Sequence, residues 1–129
     1  MYEIKRSARI KDELKLTDGD KVVIVSVDID IDGTMNRYIQ AQNHIARIKR
    51  KYSGTVEETV EMGKATIGLL EVFFGSEGTE LILNHYEGHV LEMLEDVLPY
   101  IGSVLVPKLK AASRDKKDRM IAMHKARRW

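Results

Sequence analysis

Three aspartates spaced two residues apart are the first sign of possible chemistry in this chain. In the stretch VDIDIDGTM, Asp28, Asp30 and Asp32 alternate and Gly33 follows in the sixth place, as in a calcium-binding EF-hand loop. Such a loop closes on a bidentate glutamate at its twelfth position, where this chain has Ile39. It also follows a helix, whereas KVVIVSV is a β-branched run that favours a strand. Read with period two, Val23, Val25, Val27, Ile29 and Ile31 share one face, and Ile24, Ser26, Asp28, Asp30 and Asp32 share the other. The aspartates therefore read as the solvent face of a half-buried strand.

His85 and His89 stand four apart in HYEGH, a spacing that a helix would turn into a pair of zinc ligands, with Glu92 as a third. Gly88 weakens the helix that would hold them, and the order is not that of a metalloprotease, so two surface histidines are the plainer reading. No serine lies in a Gly-x-Ser-x-Gly elbow, and FFGSEG lacks the Gly-Lys-Ser/Thr ending of a phosphate cradle. The chain has no cysteine, which removes disulfides, thiolate metal sites and thiol nucleophiles together. The expectation is a protein without catalytic residues, metal or cofactor.

Charge is segregated although the net is only +1. Residues 35–54 carry five basic and no acidic groups, residues 55–107 ten acidic against one basic, and residues 108–129 nine basic against two acidic. Such blocks either steer a partner or neutralise one another within the fold or an oligomer. In the basic tail, Lys116, Lys117, Arg119, Lys125, Arg127 and Arg128 are candidates for phosphate contacts and Trp129 for base stacking, which makes a small nucleic-acid-binding regulator the alternative function. Against it stand the acidic remainder of the chain and the lack of any recognition-helix or zinc-finger pattern. Candidates for binding a protein are Phe73 and Phe74, which widen the apolar arc of one helix, and Met93, Met120 and Met123, whose side chains adapt to varied surfaces. For the two phenylalanines a place in the core weighs more than a place at an interface.

The elements that must position these residues can be read from period and punctuation. IKDELKL, TDGD and KVVIVSVDID form a β-hairpin with Asp18-Gly19 in the tight turn, and Ile10, Asp12, Leu14 and Leu16 lie on the inner face of its first arm. DGTMN ends the second strand. From Asn36 the period changes, and Tyr38, Ala41, Ile45, Ile48 and Tyr52 make one helical stripe that closes at Ser53-Gly54. Thr55 and Glu58 form a capping box for the next helix, where Val56, Val60, Gly63, Ile67, Leu70 and Phe74 alternate by four and three until Gly75 stops it. Gly63 and Gly68 inside that helix point to a close approach of helices. A short helix follows behind Ser76 or Thr79, then one with Val90, Leu94, Val97 and Ile101 on one side, which Pro99 and Pro107 kink or end.

The expected architecture is α+β, a single domain over residues 1–129. It comprises an N-terminal β-hairpin region (1–34), a mostly helical bundle of four to five helices (36–110) and a basic helical or frayed tail (111–129). The charged N-terminal stretch and the short apolar runs lead to the expectation of a cytoplasmic protein without a membrane segment.

The order of hairpin, amphipathic helices, ATIGLLEVFFGSEGTELIL, VLEMLEDVLPYI, proline and basic tail resembles the tail assembly chaperones of long-tailed (siphovirus-like) bacteriophages and prophages. The resemblance covers about residues 56–110 and rests on the helix ending in FFG, the turn and short helix after it, and LEMLEDVLPYI. It implies a non-enzymatic protein of the bacterial cytoplasm. Such chaperones bind the long, aggregation-prone tape measure protein and recruit tail tube subunits. The resemblance also leaves room for self-association, and it carries no specific binding residue onto this chain.

Overall fold

The computed structural model describes residues 1–4 and 9–126. Strands β1 (Ile10–Asp18) and β2 (Lys21–Ile29) pair antiparallel, and three helices follow. They are α1 (Asp32–Lys51), α2 (Val56–His85) and a long α3 that joins Val90–Tyr100, a π-helical turn Ile101–Leu105 and Val106–Ala126 without a break. The class is α+β, with three helices among the described residues where four to five were expected. Among the described residues no helix is long and apolar enough to cross a membrane.

The hairpin register sets Ile10, Asp12, Leu14 and Leu16 opposite Ile29, Val27, Val25 and Val23 on one face. That face carries Leu16, Val25, Val27 and Ile29 into the core, while Ile24 and Asp28 stay outside. The turn is Gly19-Asp20, one residue later than expected. Only Gly19 has positive φ (58°), the pattern of a type II′ turn, which puts glycine first.

DGTMN does not end the strand; it starts α1. The Asp30 carboxylate accepts hydrogen bonds from the Gly33 amide at 2.7 Å and the Thr34 hydroxyl at 3.3 Å, so the second of the three aspartates caps a helix. A Cβ at Gly33 would sit 2.6 Å from the Asp30 oxygen and would displace that carboxylate from its capping position. Burial works against the Asp30 charge, but the bonds from Gly33, Thr34 and Arg37 outweigh it and hold the carboxyl below its ordinary value. Asp28 is paired with Arg9 at 2.6 Å.

Helix α2 is the centre of the fold. Phe73 meets Tyr38 of α1 edge-on at 5.8 Å, and Phe74 stacks with Tyr100 of α3 at 6.3 Å. Adjacent residues on a helix point about 100° apart, so both rings are buried because α2 has neighbours on both sides. Gly78 marks its crossing with the hairpin: a Cβ there would lie 3.2 Å from Val25 and 3.0 Å from the Cβ of Phe74.

Helical geometry stops at Gly75 (φ 70°, ψ 175°), as expected, but resumes at Ser76 without a connecting turn, so α2 is two helical segments joined by a kink. One consequence is an unpartnered Thr79 hydroxyl in the core. The Thr59 and Thr66 hydroxyls donate to the carbonyls four residues back, at 3.0 and 2.8 Å. For Thr79 that carbonyl belongs to Gly75, whose backbone has left the helical ladder.

The prolines do not end α3 either. The Val106 amide donates five residues back, to Ile101, so the wide π turn lies between Pro99 and Pro107. Pro107 is then the second residue of the α-helical stretch that follows the π turn. Tyr100 ties this helix to the hairpin, its hydroxyl donating to Asp12 at 2.8 Å, with Lys108 4.0 Å from the same carboxylate oxygen. The Tyr100 bond, a backbone bond from Glu13 and the Lys108 charge hold the Asp12 carboxyl below its ordinary value, against a smaller effect of burial. Burial, then the bond to Asp12, pushes the Tyr100 phenol up.

Gly78→Val should destabilise the protein by about 1–3 kcal/mol through overpacking against Val25 and Phe74, measured by urea unfolding. Tyr100→Phe should lower the melting temperature at pH 7. Because the depressed Asp12 carboxyl favours the fold above its unfolded value of 3.8 and ceases to do so as pH falls, the deficit should shrink in acid. A deficit constant from pH 7 to pH 3 would remove Asp12 from this account.

Candidate functional site

The expected protein-binding residues separate into two groups. Phe73, Phe74 and Met93 are buried, and Met93 is fully so. They hold α2 and α3 to their neighbours and present no surface to a partner. Met120 and Met123 are exposed, at 60% and 57%. They continue the face of α3 that carries Leu105, Leu109 and Ala112 inward, by steps of three and four, past the point where the body ends.

Of the basic tail, Lys116 is committed within the fold, its Nζ 2.8 Å from Asp32 at the first residue of α1. Lys117, Arg119 and Lys125 are exposed on helix. Arg127, Arg128 and Trp129 lie outside the described residues.

His85 and His89 do not share a helix face. α2 ends at His85, Glu87 and Gly88 turn the chain with φ of 53° and 81°, and His89 precedes α3. The pair borders a polar cleft of about 390 Å³ with Lys15, Asp18, Tyr86, Glu92 and Asp96. There the Tyr86 hydroxyl donates to Asp96 at 2.9 Å, and burial, then Asp96, pushes its phenol up to about 12. Among the described residues no group of three or more His, Asp or Glu side chains is arranged to hold a metal ion.

The structure draws attention instead to a groove between α1 and α2. One part, of about 530 Å³, is lined by Arg37, Gln40, Ala41, His44, Glu61, Lys64, Ala65, Gly68 and Val72. A narrower part, of about 210 Å³, adds Arg47, Ile48, Lys51 and Glu58 toward the interhelix turn, and the two share His44 and Glu61. Ala41, Ile48, Ala65 and Val72 supply the apolar walls, and Gly68 leaves them open, since a Cβ there would meet nothing within 4 Å. The same holds at Gly63, so neither glycine serves a close helix approach. The stripe from Tyr38 to Tyr52 turns largely toward the core. The groove takes Ala41 and Ile48 from the edge of that stripe and adds polar or small residues that form no apolar pattern.

The capping box at Thr55 and Glu58 fixes the closed end of the groove. The Glu58 carboxylate accepts from the Ser53 hydroxyl at 2.7 Å and the Thr55 hydroxyl at 2.8 Å, and from the amides of Ser53 at 3.1 Å and Thr55 at 3.2 Å. The Thr55 hydroxyl in turn accepts from the Glu58 amide at 3.2 Å. Those bonds, Ser53 first, hold the Glu58 carboxyl at about 2. Tyr52 and Thr59 bridge the same turn through their hydroxyls at 2.8 Å.

No protein-family model matches this chain, and neither a curated protein nor a solved structure matches it. The groove and the projecting end of α3 therefore speak through their own geometry.

Thr55→Ala should cost about 1 kcal/mol at pH 7, the usual loss for a helix cap, read by urea unfolding. The Glu58 contribution is present above its unfolded value of 4.5 and is lost as pH falls through about 2. The wild-type advantage over the variant should therefore narrow across that interval, and a gap unchanged at pH 2 would contradict the assignment.

Proposed function

We propose that this protein is a tail assembly chaperone of a long-tailed bacteriophage or prophage, acting in the bacterial cytoplasm without catalysis or cofactor. It holds a helical stretch of the tape measure protein and brings tail tube subunits to it, with self-association as a further capacity. The observation that supports this best is the groove along α1 and α2, whose apolar walls and open Gly68 position suit a helix laid between two helices. A tape measure protein is a long amphipathic helix that aggregates when uncovered, and a chaperone for it needs such a groove more than it needs a catalytic centre. The resemblance through FFG and LEMLEDVLPYI points the same way. The burial of Phe73, Phe74 and Met93 moves the contact from those side chains to the groove and to Met120 and Met123.

Lys117, Arg119 and Lys125, exposed on the projecting helix, favour the second reading, a nucleic-acid-binding regulator. Co-expression with the tape measure protein encoded beside it should yield a stable complex on size-exclusion chromatography and keep that partner soluble. A chain that elutes alone while the partner precipitates would reject the chaperone. Affinity for nucleic acid that falls steeply with salt, and that disappears on deleting residues 114–129, would then establish the regulator.

A further inference from the structure

The two walls of the α1–α2 groove belong to helices, and this limits what can lie between them. Backbone amides and carbonyls within a helix are already paired, so an extended peptide in the groove would find no main-chain partners. A helical occupant brings its own bonds. The lining residues are 37, 40, 41, 44, 47, 48 and 51 on α1 and 58, 61, 64, 65, 68 and 72 on α2. Spacings of one, three and four keep them on one face of each helix, and Ala41, Ile48, Ala65 and Val72 are the apolar members that an occupant's seam would meet. From Glu58 to Val72 the groove runs for about 21 Å, or four turns, at the helical rise per residue.

The rims add a sign of charge. α1 contributes His44, Arg47 and Lys51 and no acid, besides Arg37, whose guanidinium is engaged by Asp30. α2 contributes Glu58, Glu61 and Lys64, but Glu58 is turned onto Ser53 and Thr55, and Lys64 offsets Glu61. An occupant therefore meets a positive wall on the α1 side, and an acidic flank there would be both steered and held.

We propose that the α1–α2 groove binds an amphipathic α-helix of about four turns, with a heptad apolar seam and with glutamate or aspartate on the flank that faces α1. The natural occupant, a segment of the tape measure protein, rests on the chaperone reading; the chemistry of the groove is tested apart from it. Two synthetic peptides of about three heptads are used, identical except for glutamate or lysine at the flanking positions. They are titrated against the full chain by fluorescence anisotropy at low salt. The glutamate peptide should bind roughly tenfold more tightly than the lysine peptide, a difference of about 1.4 kcal/mol. The double variant Arg47→Glu, Lys51→Glu should invert that order. Gly68→Trp should fill the groove and abolish binding while keeping the wild-type melting temperature, since the position opens on free space. Equal affinity for the two peptides, binding by neither, or binding untouched by Gly68→Trp would overturn the proposal. If the tape measure protein still co-purifies with Gly68→Trp, the chaperone reading stands and the groove is rejected as its site. If the glutamate peptide binds as expected but the tape measure protein does not co-purify, the groove stands and the chaperone reading falls.

Discussion

A two-stranded sheet with one apolar face is not stable in water by itself, and the need to cover that face organises this molecule. β2 commits Val25, Val27 and Ile29 to one side, and α2 lies across them closely enough that a Cβ at position 78 would press on Val25 and Phe74. Once α2 is held there, its remaining sides are set. Phe73 turns to α1, Phe74 to α3, and Leu70 and Ile82 lose all contact with solvent. Fully burying side chains of this size stabilises the fold by about 1.5–3 kcal/mol each. This hydrophobic term outweighs the unpartnered Thr79 hydroxyl and the break at Gly75 that leaves it so.

The same centrality explains the groove. A helix packed against a sheet on one side and helices on two others has one arc left, and on α2 that arc carries Glu58, Glu61, Lys64, Gly68 and Val72. Large apolar side chains there would close onto α1. Small ones hold the two helices at a distance that leaves a trough, stiffened at one end by the Thr55–Glu58 box. The capacity to take up a partner thus arises from residues that contribute least to stability.

Charge segregation is partly resolved within the chain. Acids of the hairpin and of the start of α1 meet bases of the C-terminal block, Asp12 with Lys108 and Asp32 with Lys116. These are surface pairs, worth about 0–1 kcal/mol each, so they fix the direction of α3 more than they hold the fold. The basic rim that α1 turns to the groove and the exposed end of α3 remain available to a partner.

The sequence by itself determined local structure wherever one residue type has one physical use. The β-branched alternation of Val23 to Ile31 set the strand and its buried face, Gly19 the tight turn, Thr55 and Glu58 the start of α2, and the stripe from Tyr38 to Tyr52 the inner side of α1. Each of these is a matter of period or of a bond between near neighbours. Tertiary structure decided what depends on distant partners. Asp30 lies beyond the end of β2 and accepts from the first turn of α1, because the chain turns directly into that helix. Asp12 lies on an otherwise apolar face because Tyr100, far along the chain, reaches it. Pro99 and Pro107 sit within one helix that does not end at either, with a π turn between them. Gly68 opens a groove while Gly78 closes a contact, and only the identity of what packs opposite distinguishes two glycines of the same helix.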